Sequence, residues 1–427
     1  MQPDTIFALS SGSPPAAISI IRVSGPGARK AAELLAGGLP PAREAAVRQL
    51  RDPRLGQLLD DALVLRFDGP ASSTGEDVVE LHCHGGRAVV AAVLGALGET
   101  EGLREAQPGE FTRRAFENGR IDLTEAEGLA DLIEAETESQ RRAALIMAEG
   151  GLRQQIDVWQ ARVLELSARA ETAIDYVDED SGGKDRDLSS DCGALAIELG
   201  KWLDRPRSEP LREGVRVVIA GPPNAGKSSL LNAIVGYDRA IVTDVPGTTR
   251  DHIEVPLALA GVPMRLIDTA GLRESAELVE KIGVDRAHSL IGLADVLVWL
   301  GEPGDAPEHA RLVRVHARCD LPGRGPAPTG SIAVSAKTGE GLARLTSWIA
   351  DEARSLLPGE GEIALNRRQA DCVAEARGAL RAGGCSTDVV LVAESLRQAR
   401  LAFDRLTGAA GVEDLLDTLF ARFCLGK

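Results

Sequence analysis

The stretch VRVVIAGPPNAGKSSLLNAIV, residues 215–235, decides how the middle of the chain folds. Its first six residues are apolar except for Arg216, a run the length of a buried strand and short for a helix. GPPNAGKSS, residues 221–229, then satisfies G-x-x-x-x-G-K-S, and SSLLNAIV continues in a helical pattern. Strand, glycine loop and helix therefore stand in the order that a phosphate-binding loop requires. Glycines let backbone N–H groups turn inward on phosphate oxygens, Lys227 reaches the terminal phosphates, and the Ser228 hydroxyl can ligate Mg²⁺. Asn224, Ala225, Gly226 and Ser229 complete the predicted cradle. The competing reading is a ligand-free strand-to-helix turn, and the flanking pattern weighs against it.

Downstream, DTAG (residues 268–271) follows a second apolar run. Asp268 can hold Mg²⁺ through water, and the Gly271 N–H can face a terminal phosphate, with Thr269 and Ala270 between them. Between the two motifs lies TDVPGTTRD, residues 243–251, a polar loop of Thr243, Asp244, Val245, Pro246, Gly247, Thr248 and Thr249 before its Arg-Asp end. Thr249 can complete the magnesium shell when a terminal phosphate is present. GTPases read the base with Asn-Lys-x-Asp after a later strand; here the residues are Ala317, Arg318, Cys319 and Asp320, so only the acid survives. Asp320 can accept from guanine N1–H and the exocyclic amine, a pattern adenine does not offer. SAKTG supplies Ser335, Ala336 and Lys337 as a second wall, with backbone N–H groups near guanine O6. GTP is therefore expected over ATP, and bound loosely.

Leu272 follows DTAG, so no Gln stands at the place that positions water in small signalling GTPases. Asn224 offers an amide oxygen beside the phosphates, where a monovalent cation can neutralise developing charge as an arginine finger would. Glu280 can orient water. Taken alone, Asn224 reads as a turn residue and Glu280 as a solvated charge among Glu277, Lys281 and Asp285.

Length and composition bound the rest. The 427 residues suggest about three domains, and 48 Lys+Arg against 64 Asp+Glu leave a net charge of −16, which excludes a protein that coats nucleic acid by bulk charge. The six cysteines form no CxxC pair and no zinc-type spacing, the start does not read as a signal peptide, and no apolar run reaches membrane-spanning length. A reduced, cytoplasmic setting is expected. Short β-rich runs at residues 18–23, 62–67 and 78–82 alternate with helical segments near 28–35 and 88–97. LTEAEGLADLIEAE then opens a long helix, with Thr124 and Glu127 as an expected capping box and Leu129, Leu132, Ile133 and Ala135 as its buried stripe. DEDSGGKDRD, residues 178–187, reads as a mobile connection. Strand-like runs separated by turns fill residues 214–355, and helices resume afterwards, so an α/β module is expected within a helical body.

The phosphate loop, TDVPGTTRD, DTAGLRE, the helical flanks, the terminal FCLGK and, in the first third, DTIFALSSG, IIRVSGPGA, TGEDVVELHCHGG and QPGEFTRRAFENGRIDLTEAE together resemble the MnmE (TrmE) family of tRNA-modification GTPases. The resemblance spans essentially the whole chain. It implies a multidomain α/β and α fold: an α+β tetrahydrofolate-binding and dimerisation domain over residues 1–120, a discontinuous helical domain over 121–213 and 358–427, and an inserted Ras-like P-loop G domain over 214–357. It further implies a homodimer working with the FAD-containing protein MnmG (GidA) as a heterotetramer. The pair would build carboxymethylaminomethyl or aminomethyl groups at C5 of the wobble uridine of certain tRNAs, with a one-carbon unit from 5,10-methylene- or 5-formyltetrahydrofolate. By position, Asn224, Thr243, Val245 and Thr248 match a K⁺ site, Ser228 and Thr249 the Mg²⁺ ligands, and Glu280 the water-orienting acid. For folate the match falls on Arg22, Glu80, Arg120 and Lys427, with Cys424 near the one-carbon unit. Taken alone, Arg22 and Glu80 read as paired or surface charges, and Cys424 as a buried helix-end thiol.

Two departures stand out. The base-reading segment is degraded, and SGSPPAAIS replaces the family's Gly/Arg-rich segment before IIRVSG. Only about ten residues, 301–310, separate two strands, and LPGRGPAPTG is poor helix material, so the G domain is expected to be trimmed. His82 and His84 share one strand face with Cys83 on the other, which reads as packing or pocket lining. The pairs Arg113-Arg114, Arg141-Arg142 and Arg367-Arg368 read as solvated helix faces. A ribosome-assembly regulatory GTPase is the alternative, disfavoured by the folate-type first domain; a folate enzyme with a degenerate nucleotide module is disfavoured by Lys227, Ser228, Thr249 and Asp268.

Overall fold

In the computed structural model the described residues are 4–175, 184–237, 240–242, 253–269, 290–410, 413–423 and 425–426. Contacts divide the chain into two compact units, one of residues 1–130 with 404–427 and one of residues 131–403.

The first unit is built on a sheet of β1 (Thr5–Leu9), β2 (Ile18–Ser24), β3 (Ala45–Arg51), β4 (Leu58–Phe67), β5 (Val78–His84) and β6 (Leu103–Glu105), in the order β3-β4-β5-β2-β1-β6. Alternation sends Ile21, Val23, Val79, Leu81 and Cys83 to one face, where helices Ala28–Ala36 and Arg87–Gly98 cover them. On the opposite face Ile6 and Ala8 meet Phe111 of helix Glu110–Glu117. The C-terminal helix Glu413–Phe420 returns to this unit, with Phe420 tilted against Phe116 at 6.4 Å between ring centroids.

The second unit holds β7 (Val215–Ala220), β8 (Ala240–Val242), β9 (Ile253–Leu259), β10 (Val262–Asp268), β11 (Val296–Trp299), β12 (Leu312–Ala317) and β13 (Ser331–Val334). Their order is β13-β12-β11-β7-β10-β9-β8, and every pairing is parallel except β10 with β9 and β9 with β8. Helices Lys227–Val235 and Leu342–Arg354 bury one face of this sheet. The expected trimming is seen: residues 300–311 hold only the 3-10 turn Pro303–Asp305, and residues 318–330 hold no helix. Around the sheet module the same unit carries helices Glu138–Ala148, Gly151–Asp175, Lys184–Leu203, Arg367–Gly384 and Val389–Thr407. Fully buried Trp159 ties helix Gly151–Asp175 to two of the others, stacked on Phe403 at 5.8 Å, edge-on to Trp202 at 5.2 Å, and donating Nε1–H to Glu198 at 2.9 Å.

Four local expectations are corrected. Asp122, not Thr124, caps helix Leu123–Glu134: its Oδ1 accepts from Glu125 N at 2.8 Å, and Glu125 Oε2 accepts from Asp122 N at 2.7 Å. The box is the same chemistry two residues earlier, because an Asp is as good a cap as a Thr. The long helix stops at Glu134 and restarts at Glu138, where Thr137 and Gln140 form a second box. Leu129, Leu132, Ile133 and Ala135 are only half-buried, while Leu123, Ala126 and Ala130 are buried, so the face turned to the core is a different one from that expected. Helix Lys184–Leu203 begins inside the stretch expected to be a connection; residues 176–183 lie outside the described residues.

Candidate nucleotide and pterin sites

The phosphate loop sits where β7 ends. Parallel pairing of β7 with β10 sets Asp268 beside Ile219, so both motifs emerge at one edge of the sheet, the edge at which open α/β sheets bind ligands. Gly226 precedes helix Lys227–Val235 with φ +99°, a left-handed turn that a glycine adopts at little cost and that aims the first helical N–H groups into the loop. Buried Lys227 folds over the loop and donates from Nζ to Gly221 O and Pro222 O, each at 2.9 Å. Ser228 Oγ donates to Asp268 Oδ2 at 2.5 Å, joining the two oxygen donors expected around Mg²⁺, and Asp268 is 1% exposed. Hydroxyl and carboxylate oxygens at such range are the donor set a hard cation takes. Thr269 Oγ1 donates to Ile219 O at 3.1 Å, so its hydroxyl ties the strand pair together.

The base-reading segment converges from β12 and β13, paired through Ala317 and Val334. Ser335 is fully buried; its Oγ accepts from Lys337 N at 3.3 Å and Thr338 N at 3.1 Å. The Ser335 hydroxyl also holds the Asp320 carboxyl below its usual range, with the Lys337 charge adding to the effect. A carboxyl held low suits an acceptor for two N–H groups. Ala317 is buried in the core under the sheet. Sequence reasoning missed Arg318: a Cβ built on Gly226 would stand 3.4 Å from Arg318 Nε, so the guanidinium lies beside the phosphate loop. The signal available was its place two residues before Asp320, in a segment read for its acid alone.

In the first unit β2 and β5 pair with Arg22 opposite Glu80. Arg22 Nε and Nη2 both donate to Glu80 Oε1, at 3.0 and 2.9 Å, and His82 Nε2 lies 3.2 Å from Glu80 Oε2. Arg22 also lies over the Phe111 ring. Arg120 is exposed and sits against Gly75; among the described residues no hydrogen bond or ion pair joins it to Arg22 or Glu80. Gly426, at φ +95°, presses on the end of β1: a Cβ there would fall 2.1 Å from Leu9 O, so a larger residue would force the chain end away. Cys83 points into the core, and burial pushes its thiol up to about 12, with the Asp60 charge adding to the shift. His84 pairs on the other side with Asp60 at 2.7 Å. The expected solvated face at Arg114 is corrected: Arg114 is 8% exposed and bonded to Asp4, Glu76 and Glu110, because helix Glu110–Glu117 lays it across the sheet edge.

Thr243, Asp244, Val245, Pro246, Gly247, Thr248, Thr249, Ala270, Gly271, Glu280, Cys424 and Lys427 lie outside the described residues.

Two family models match the chain: "GTP-binding protein TrmE N-terminus" over residues 5–120 and "MnmE helical domain" over residues 123–424. The chain belongs to the MnmE family. A tRNA modification GTPase MnmE from Novosphingobium aromaticivorans is 53% identical over 99% of this chain and 100% of its own length. One from Erythrobacter litoralis is likewise 53% identical over 99% and 100%. Among solved structures, the G domain of the T. maritima FeoB iron transporter is 26% identical, covering 33% of this chain and 98% of that one, with a TM-score of 0.23. Among the described residues no helix is long and apolar enough to cross a membrane.

Proposed function

We propose that this chain hydrolyses GTP and that its hydrolytic cycle supports modification of C5 of the wobble uridine in tRNA, together with an FAD-containing partner and a one-carbon unit on tetrahydrofolate. The observation that carries the nucleotide half is the contact of Ser228 with Asp268 at the mouth of the Lys227 loop, an oxygen pair beside a phosphate cradle. Family membership carries the tRNA half. Ser228, Thr249 and Asp268 would hold Mg²⁺, which supplies charge neutralisation at the phosphates; Asn224, Thr243, Val245 and Thr248 would hold K⁺, and Glu280 would orient water. Asp320, with the Ser335 loop behind it, would take guanine.

For the pterin the proposal rests on Glu80. Both Arg22 donors fall on Oε1, while Oε2 keeps lone-pair capacity beside His82, which suits an N–H group of an aminopyrimidine edge. Gly426 seated at the end of β1 supports a role there for the neighbouring Lys427 and for Cys424. Residues 1–120 would dimerise two copies, 214–357 would act as the G domain and 121–213 with 358–427 as the helical body, in the cytoplasm. Nucleoside analysis of tRNA from cells lacking this protein tests the proposal. Loss of the C5 substituent at the wobble uridine is expected; its persistence overturns the tRNA assignment.

A further inference from the structure

Guanine offers a protein two edges. The N1–H and amine edge suits a carboxylate, and the N7/O6 edge presents only acceptors and needs a donor. Asp320 can serve the first edge. For the second, backbone N–H groups of the loop at residues 335–337 can meet O6, and the side chain of Ala317, 8% exposed, offers N7 no donor. Arg318 follows it at φ +60°, a left-handed conformation uncommon for a residue with a side chain, held while Cys319 N–H donates to Val334 O at 3.3 Å. Its guanidinium then stands beside Gly226, with Nε 3.4 Å and Nη2 3.9 Å from a Cβ built there. The side chain is exposed and, among the described residues, pairs with no carboxylate. A forked donor is thus held free beside the phosphate cradle, two residues before the carboxylate that would read the base.

We infer that Arg318 reads the N7/O6 edge of guanine, supplying the donors that Ala317 lacks and making it a specificity residue of the nucleotide site. The inference rests on the guanine reading of Asp320 and deepens it. A planar guanidinium fits two acceptors side by side, whereas a lysine ammonium is a point donor, so Arg318 and a lysine are not equivalent here.

The test measures equilibrium affinity of the full chain for GDP and for 7-deaza-GDP, which lacks the N7 acceptor, in wild type, Arg318→Ala and Arg318→Lys. Wild type is expected to favour GDP by about tenfold. Arg318→Ala is expected to bind the two equally, and Arg318→Lys to show an intermediate ratio. A ratio that persists in Arg318→Ala, or that is absent in wild type, overturns the inference. Equal weakening of both nucleotides by Arg318→Ala with the ratio unchanged overturns it too, since that is the mark of a contact to ring faces or phosphates. An Asp320→Asn arm, read with xanthosine diphosphate, separates this outcome from failure of the underlying reading. Gained xanthosine binding upholds Asp320 and leaves the Arg318 ratio to decide; no gain overturns the guanine subsite itself and the inference with it.

Discussion

Replacing Arg114 by Met keeps the length of the side chain and removes its charge from the most buried ion cluster of the first unit. Arg114 Nη1 donates to Asp4 O at 2.8 Å and to both Glu76 oxygens at 3.2 Å, and Nη2 donates to Asp4 Oδ1 at 2.6 Å and Glu110 Oε1 at 3.1 Å. The three acids do not lose equally. Glu110 keeps Arg104 and the Gln107 N–H, and half-exposed Asp4 keeps Arg104. Glu76, 15% exposed, is left with the Ser24 hydroxyl and, among the described residues, no cation in this cluster. Removing one member of a buried pair typically costs about 3–5 kcal/mol, and with the loss concentrated on one carboxylate the low end applies, about 3 kcal/mol. For a unit of this size that lowers the melting temperature by about 6–12 °C. Circular dichroism melts of the full chain at neutral pH read the effect. The double variant Arg114→Met with Glu76→Gln should recover roughly half of it, because the uncompensated charge is gone. Burial raises the carboxyls of Asp4 and Glu110, but the hydrogen bonds from Arg104 and Arg114 outweigh it and hold both below their usual range. Groups depressed in the folded state contribute stability that is present above their unfolded values and is lost as pH falls through the folded ones, so the gap between wild type and variant should narrow from about pH 5 downward. A single variant within about 1 kcal/mol of wild type, or a double variant that is worse than the single, would refute the reasoning.

Two further outcomes are expected. Ser228→Ala should leave nucleotide binding in chelator nearly unchanged while cutting its enhancement by Mg²⁺ about tenfold or more, as read by titrating Mg²⁺ against a fluorescent guanine nucleotide; an unchanged enhancement would remove Ser228 from the magnesium site. Trp159→Phe deletes the indole donor to Glu198 inside the helical body and should cost about 1.5–3 kcal/mol in urea unfolding. Adding Glu198→Leu should restore part of that loss, and no restoration would show that ring packing against Trp202 and Phe403 carries the whole effect.

How much of this was legible beforehand follows from the range of the forces involved. The phosphate loop, the strand before it and the helix after it were readable because each depends on neighbours within a few residues: apolar run, glycines, helical leucines. The missing helices of the sheet module were readable for the same reason, since too short a segment and too many prolines exclude a helix wherever they lie. The cap at Asp122 was missed by two residues because several polar side chains at that bend can all accept the bond.

Tertiary structure decided what lies far apart in sequence. It set two donors of Arg22 on one oxygen of Glu80, buried Arg114 under three acids, seated Gly426 against Leu9, and brought Arg318 to Gly226. The residues alone gave the phosphate-loop pattern, with its lysine and hydroxyl, between a strand and a helix; strand order and register decided which charges meet. A side chain's identity limits the partners it can take, but only the closed chain, in which burial makes an unpaired charge costly, selects one of them.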